Sequence, residues 1–328
     1  MRNIITKSPF SCYRVGNNAS NHHIGMLGLF LIALISTLFS CCGNGDESVT
    51  LETPFTIEAI EDGDVVLSGD VSFEYRINHG DMQEATIEDV FVINLSKGDI
   101  VELFGDNDRA PYIPETPKCY IYGNVMSLLS STSYSELTSI ESPHAFRHMF
   151  WGNANVMLHD SKELLLPAIR LSEDCYKSMF EGCTSITSAP ELPAKILAED
   201  CYERMFARCT SLTSAPELPA TILAEGCYAG MFQGCVSLTS APELPAMRME
   251  KACYRGMFAD CSQLSKAPDL PAMQLAKKCY AEMFYNCLNL AEPPSLPATQ
   301  LEWHCYEDMF GIDNEKGQSV ELMVEEGY

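Results

Sequence analysis

Two hydrophobic rhythms divide this chain. Between residues 48 and 125 apolar and polar positions alternate singly: Phe73, Tyr75 and Ile77 share one face, as do Phe91, Ile93 and Leu95. A period of two is that of a strand with one buried side. Glu61-Asp62-Gly63-Asp64, Asn78-His79-Gly80-Asp81 and Lys97-Gly98-Asp99 supply turn chemistry between such runs. The alternation predicts a small antiparallel, β-sandwich-like module of about six to eight short strands over 48–125. Its last strand is expected at 118–124, and the serine-rich stretch 126–138 reads as a connector.

Further along, the rhythm changes. Cys-Tyr-x-x-Met-Phe-x-x-Cys recurs five times, opening at Cys175, Cys201, Cys227, Cys253 and Cys279, 26 residues apart. The closing cysteines are Cys183, Cys209, Cys235, Cys261 and Cys287. A sixth copy opens at Cys305 and carries Asp313 in the closing place, while a degenerate copy at 144–150 precedes the series, set off by four extra residues around 157–163. A fixed period of this size signals stacked units that bury their apolar faces against one another.

In the unit at Cys201 the apolar residues sit at offsets 0, 1, 4, 5 and 8. At about 100° per residue these form one stripe roughly 140° wide, so the spacing predicts an amphipathic helix over 198–209. Ala-Pro-Glu-Leu-Pro-Ala at 189–194, 215–220 and 241–246, with Asp for Glu at 267–272, predicts short extended stretches limited by proline. The expected fold is therefore an α/β solenoid over 139–313, each 26-residue unit a short strand plus a short helix, with a C-terminal cap or tail at 314–328.

At the other end, residues 24–40 are 17 uncharged, mostly apolar positions preceded by Arg2, Lys7 and Arg14. A membrane-spanning helix needs about 20, so 1–40 reads as an export signal that is removed. Leu38-Phe39-Ser40-Cys41 resembles a bacterial lipobox with Cys41 as the lipidated residue, and Cys42 is the weaker candidate because Phe39 would then stand at −3. An ordinary signal peptide is the alternative. Residues 41–47 form a polar, flexible tether with early acidic residues.

Charge narrows the partners. The formal net charge is −24, and residues 1–40 contain no acidic side chain. Residues 41–143 carry 20 acidic and 4 basic side chains, the array at 144–313 carries 21 and 13. Such a surface repels phosphate backbones, so nucleic-acid binding is not expected. Basic proteins or divalent cations are compatible partners, and plain solubility is the simpler reading.

The candidate chemistry is sparse. Cysteines eight apart on one helix would be about 12 Å apart along its axis, too far for one zinc or one disulfide. Cysteines of adjacent units, such as Cys183 and Cys209, would come within disulfide range, with buried free thiols as the default. Cys175, Cys183, Cys201, Cys209, Cys227, Cys235, Cys253, Cys261, Cys279, Cys287 and Cys305 are thus assigned to the core, and neither metal nor cofactor is expected. The tyrosines at Tyr176, Tyr202, Tyr228, Tyr254, Tyr280 and Tyr306 read either as a sugar-binding ladder or as a core spine; their place in the apolar stripe favours the spine. Asp106-Asn107-Asp108 lacks the glycine and distal glutamate of a calcium loop. The position most open to function is the column Glu191, Glu217, Glu243 and Asp269, ended by Ser295. It reads as an acidic stripe for a basic or cationic partner, or as a solvated turn set by flanking prolines.

The repeated phrase Leu-Thr-Ser-Ala-Pro-Glu-Leu-Pro-Ala, followed by Ile-Leu-Ala and Cys-Tyr-x-x-Met-Phe-x-x-Cys, resembles the BspA-like leucine-rich repeats of Gram-negative surface lipoproteins. Phe206 and Cys209 match that family's Ala-Phe-x-x-Cys, while Met205 replaces the alanine. The preceding module and Tyr122-Gly-Asn-Val-Met-Ser-Leu128 look similar too. The resemblance implies a leucine-rich-repeat solenoid on an outer-membrane lipoprotein displayed at the cell surface, without catalytic residues. The expected function is non-enzymatic binding of protein or host-matrix ligands. The alternative is a glycan-binding accessory lipoprotein whose β module offers exposed aromatics such as Tyr75 or Tyr112.

Overall fold

The computed structural model describes residues 48–291, 293–313 and 319–320, all within one compact unit, Glu47–Tyr328. Eight strands form its first part: β1 (Phe55–Ala59), β2 (Gly63–Ser68), β3 (Val71–Ile77), β4 (Gln83–Ile87), β5 (Val90–Leu95), β6 (Ile100–Gly105), β7 (Tyr112–Glu115) and β8 (Cys119–Asn124). Two further strands, β9 (Val156–Leu158) and β10 (Leu164–Leu165), come from the inserted residues and join β8 in parallel. The larger sheet runs β10-β8-β1-β6-β3-β4 with β9 also on β8, and the smaller runs β5-β2-β7.

The alternation explains the facing. Val65 and Leu67 of β2, and Ile93 and Leu95 of β5, point into a core shared with Ile57, Val101, Leu103 and Ile121 of the large sheet. Glycine is required at one point. Gly123 has φ 83°, and any side-chain carbon there would collide with the carbonyl of Pro54, where the chain crosses β8. The connector does more than link. Val125, Met126, Ser127 and Leu128 form a buried 3-10 turn, and Ser127 both donates to Leu103 O (2.8 Å) and accepts from Phe55 N (2.9 Å).

The α/β solenoid of strand-plus-helix units is not what forms. The described residues contain no α-helix, only two 3-10 turns, and the leucine-rich-repeat description of the units falls with it. The residues expected to be helical instead make overlapping turns. Every fourth residue has positive φ: Asp174, Ser178 and Gly182 in one unit (53°, 53°, 78°), Asp200, Arg204 and Arg208 in the next (51°, 54°, 60°), then Gly226, Gly230 and Gly234 (59°, 59°, 73°). An α-helix cannot contain such residues.

The hydrogen bonds show what replaces it. Met179 and Cys183 N–H donate back three residues, to Tyr176 O (3.2 Å) and Phe180 O (3.0 Å). The alternate amides, of Tyr176, Ser178 and Phe180, donate instead to the following unit, at Cys201 O (2.9 Å), Glu203 O (2.8 Å) and Met205 O (2.9 Å). Offsets 0, 1, 4, 5 and 8 fit a repeat of four as well as one of 3.6, which is why a helical wheel places the same side chains on one face. The other two sides of each unit hold only short bridges, such as Arg170 with Ile196 and Ser240 with Lys266.

Packing then locks the stack. Phe146, Tyr176, Tyr202, Tyr228, Tyr254, Tyr280 and Tyr306 form one column, with successive ring centroids 5.4 to 6.0 Å apart. Phe150, Phe180, Phe206, Phe232, Phe258, Phe284 and Phe310 form a second, at 5.6 to 5.8 Å. Left-handed backbone costs a non-glycine residue about 1–2 kcal/mol; buried aromatic stacking and the unit-to-unit bonds offset it. The β strands close one end: Ala110 and Ile113 N–H donate to Ala145 O and Met149 O, both at 2.7 Å.

Candidate functional site

The expected stripe is where the structure leaves charge open. Glu191, Glu217, Glu243 and Asp269 are all exposed, while Leu192, Leu218, Leu244 and Leu270 beside them are buried. The leucine and the prolines on each side hold the carboxylates outward at the same point of successive units. Thr213 N–H to Thr187 O (3.1 Å) and Ser265 N–H to Thr239 O (3.2 Å) keep this side in register. Among the described residues none of the four carboxylates has an ion pair.

Several other charges on the array are paired across units, while Arg170, Lys195, Arg208, Arg248, Lys266 and Lys277 join no ion pair among the described residues. Arg204 bridges to Glu181 (2.7 Å), Arg255 to Glu282 (3.1 Å), Lys278 to Glu307 (3.1 Å) and Lys251 to Glu225. Asp174, Asp200 and Glu203 converge closely enough to hold a metal ion, but the Lys177 ammonium already sits among them at 3.2, 3.1 and 2.5 Å. Burial works against the charge on Lys177, and the bonds to Glu203, Asp200 and Asp174 outweigh it, so its pKa is raised. Burial raises the Glu203 carboxyl despite that lysine. This cluster is an internal ion pair network.

At the head of the stripe lies a cavity of about 320 Å³, where the β9–β10 insertion meets the 188–193 stretch. Leu51, Leu158 and Leu166 give it an apolar wall, with His159, Lys162, Glu163 and Glu191 at its polar positions. Lys162 is committed elsewhere, to Glu58 (2.8 Å) and over the Tyr122 ring (4.7 Å). Burial pushes the Tyr122 hydroxyl up to about 12. His159 Nδ1 accepts from the amides of Ser161 and Lys162, both at 3.1 Å, which leaves its proton on Nε2. Sequence reasoning assigned nothing to His159, Lys162 or Glu163; the four-residue insertion was the signal available.

The array cysteines are packed into the core. Those at Cys175, Cys183, Cys201, Cys209, Cys227, Cys235, Cys253, Cys261, Cys279 and Cys305 are buried, and Cys287 is partly so. Burial pushes the thiols up, Cys175, Cys227, Cys279 and Cys287 to about 12. As thiols they keep a proton to donate. Cys209, Cys235, Cys261 and Cys287 give S–H bonds at 3.0 to 3.1 Å to Phe180, Phe206, Phe232 and Phe258 carbonyls of the preceding unit.

Other candidates resolve into structure. Tyr176, Tyr202, Tyr228, Tyr254 and Tyr280 are 1% exposed. Tyr75 is half-buried between Phe73 and Phe91 with its hydroxyl on Gln83 (2.9 Å), and Tyr112 bonds Trp151 O (3.1 Å). Asp106 accepts from Ser131, and Asp108 from Ser142 (3.1 Å), so both brace loops. Cys41, the expected lipid site, lies outside the described residues, as do the export signal and tether. Among the described residues no helix is long and apolar enough to cross a membrane. Comparison with family models, with curated proteins and with solved structures found no match.

Proposed function

We propose that this chain is a non-enzymatic surface protein, held to the outer membrane through a lipid on Cys41, that binds a protein or host-matrix ligand along its repeat array. The observation that carries the reading is the column Glu191, Glu217, Glu243 and Asp269: four carboxylates exposed at the same point of successive units, none of them in an ion pair among the described residues. A stack of like charges attracts a partner with basic residues in extended sequence, and opposite potentials speed encounter and fix register. The net charge of −24 acts in the same direction. The likeness of the repeated phrase to BspA-like surface lipoproteins supports attachment and display.

The test is binding of the chain lacking residues 1–40 to a panel of matrix proteins and polysaccharides, beside the double variant Glu217→Lys/Glu243→Lys. Binding to a basic matrix protein that falls at least tenfold in the variant and weakens with salt supports the reading. Unchanged binding by the variant would sink the stripe, and binding to neutral polysaccharide alone would replace the ligand class by glycan. Globomycin-sensitive processing and labelling with radioactive palmitate, both lost in Cys41→Ser, test the anchor.

A further inference from the structure

Beside the acidic column the array carries a row of open aliphatic side chains. Ile196, Ile222, Met247 and Met273 follow Glu191, Glu217, Glu243 and Asp269 by four or five residues, and Ile169 begins the row one unit earlier. All five are 43 to 77% exposed. Scattered exposed aliphatics are ordinary, but a contiguous row of them marks an interaction surface. Backbone bonds hold the row in register: Ile196 N–H donates to Ile169 O (3.1 Å), Leu171 N–H to Ile196 O (2.9 Å) and Gln300 N–H to Met273 O (3.2 Å). With their chain neighbours Arg170, Lys195, Thr221, Arg248 and Gln274, the five form a lane that holds three cations and no carboxylate. None of these cations joins an ion pair among the described residues.

Spacing selects what can lie there. Successive units are 5.6 to 5.8 Å apart at the phenylalanine rings, and about 4.8 Å is the usual step where main chains bond. One turn of α-helix rises about 5.4 Å, between the two, so a helix laid along the stack meets each unit with one turn. A strand laid the same way repeats every roughly 6.6 Å and is out of step by ~3 Å or more after three units. The width fits as well. Four residues of chain take Glu243 to Met247 and Asp269 to Met273, a span of at most about 14 Å. A helix with its side chains is about 10–12 Å across. A lipid surface is disfavoured, because exposed carboxylates stand on both sides of the row: the acidic column before it, and Glu173 and Glu199 shortly after Ile169 and Ile196.

We propose that the row and the acidic column together seat an amphipathic α-helix of the protein ligand. This rests on the reading of the column as the landing surface for a basic partner. Lysines or arginines recurring every three or four positions of the partner's sequence face the carboxylates. Aliphatic residues on the adjoining helical stripe cover Ile196, Ile222, Met247 and Met273. The four steps from Ile169 to Met273 are roughly 22 Å, the length of about 15 helical residues. Lys195 and Arg248 stand two units apart, so acidic residues about seven positions apart on the helix meet them. Opposite charges at those two points fix its register along the stack.

The test uses the chain lacking residues 1–40 and a synthetic 15-residue peptide with lysine and leucine on adjoining helical stripes and two glutamates seven positions apart. Beside it run a scrambled peptide of the same composition and the double variant Ile222→Ser/Met247→Ser, which keeps the protein's charge and alters only exposed side chains. The expected result is binding by fluorescence anisotropy with a gain of helix by circular dichroism. Affinity should fall at least tenfold for the scrambled peptide and at least tenfold for the serine variant. Equal affinity for the two peptides, or no change in the serine variant, overturns the proposal. A loss confined to Glu217→Lys/Glu243→Lys would then leave the acidic column standing as a site for basic chains. A loss in the serine variant with Glu217→Lys/Glu243→Lys unaffected sinks the column, and the helix seat with it. Self-association in sedimentation that Ile222→Ser/Met247→Ser abolishes would place a second copy on the row, and overturns the proposal too.

Discussion

The β strands and the turn ribbon solve one problem in two ways. In the strands, hydrogen bonds join segments far apart in sequence, and each pairing is particular: Phe55 meets Leu103 on one side, and Thr56 meets Tyr122 on the other. In the ribbon, half of the amides bond within the unit and half to the next, so every interface repeats the last. A sheet of unlike strands concentrates stability in central positions such as Ile57. A periodic stack spreads it evenly, and only its ends differ. The array is in this respect quasi-one-dimensional, with nearest-neighbour terms dominating.

The largest test of that contrast is within one column. Phe206 is fully buried between Phe180 and Phe232, so Phe206→Ala should cost about 3–5 kcal/mol in denaturant unfolding. Phe310→Ala, stacked on one side, should cost less than half as much. Equal losses would mean that the end of the stack is as enclosed as its middle.

A smaller effect has a sign that separates turns from helix. Ala252 has φ 53°, where the preceding unit has Gly226. In a helix Ala252→Gly would cost about 0.5–1 kcal/mol. In the ribbon it relieves a left-handed residue, against the larger entropy of unfolded glycine. The expected change is between neutral and about 1 kcal/mol stabilising; clear destabilisation would contradict the turn geometry.

Acid titration compares the two regions directly. For Glu181, burial works to raise the carboxyl, and the bonds from Arg204 and Ser178 outweigh it, so its pKa is below the ordinary 4.5. A depressed carboxyl stabilises the fold above its unfolded pKa and loses that contribution as the pH falls. Glu181→Gln should therefore unfold more readily at pH 7, with the difference from wild type fading below about 4.5. Asp99, lowered by bonds from Asn78 and the Ser96 amide, should behave alike in Asp99→Asn with a smaller amplitude, because it is exposed to solvent. Unfolding midpoints against pH decide both.

The smallest expected effect is chemical. Alkylation without reductant should leave the ten buried array thiols untouched in the folded chain and modify all of them, and Cys287, after unfolding. A mass corresponding to paired cysteines would show that adjacent units are cross-linked.

Legibility in the sequence was uneven for particular reasons. Phe73, Ile93 and Leu95 point inward because a period of two has one structural meaning. The array's offsets had two meanings, and the helical one was the better known. A partial second signal was present: of the fifteen positions one before, three after and seven after the five opening cysteines Cys175 to Cys279, nine are Gly, Asp or Asn (Asp174, Gly182, Asp200, Gly226, Gly230, Gly234, Gly256, Asp260 and Asn286), and the rest include Ser178, Arg204 and Ala252. Residues of these types tolerate positive φ, and Gly226, Gly230 and Gly234, spaced by four within one unit, argue against a helix there. The cavity by His159 and Lys162 was not legible, since it depends on the insertion folding back onto β8.

The amino-acid sequence by itself determined which side chains meet. Repetition every 26 residues puts tyrosine on tyrosine, phenylalanine on phenylalanine and thiol beside thiol, whatever backbone lies beneath. Only the tertiary structure decided that backbone. The amide of Tyr176 finds its acceptor on Cys201, in another unit, and no local propensity contains that partner. A helix would satisfy each amide within its own unit and leave the interface to side chains alone. The turn ribbon gives half of its amides to the neighbour, and the stack is held by backbone and rings together.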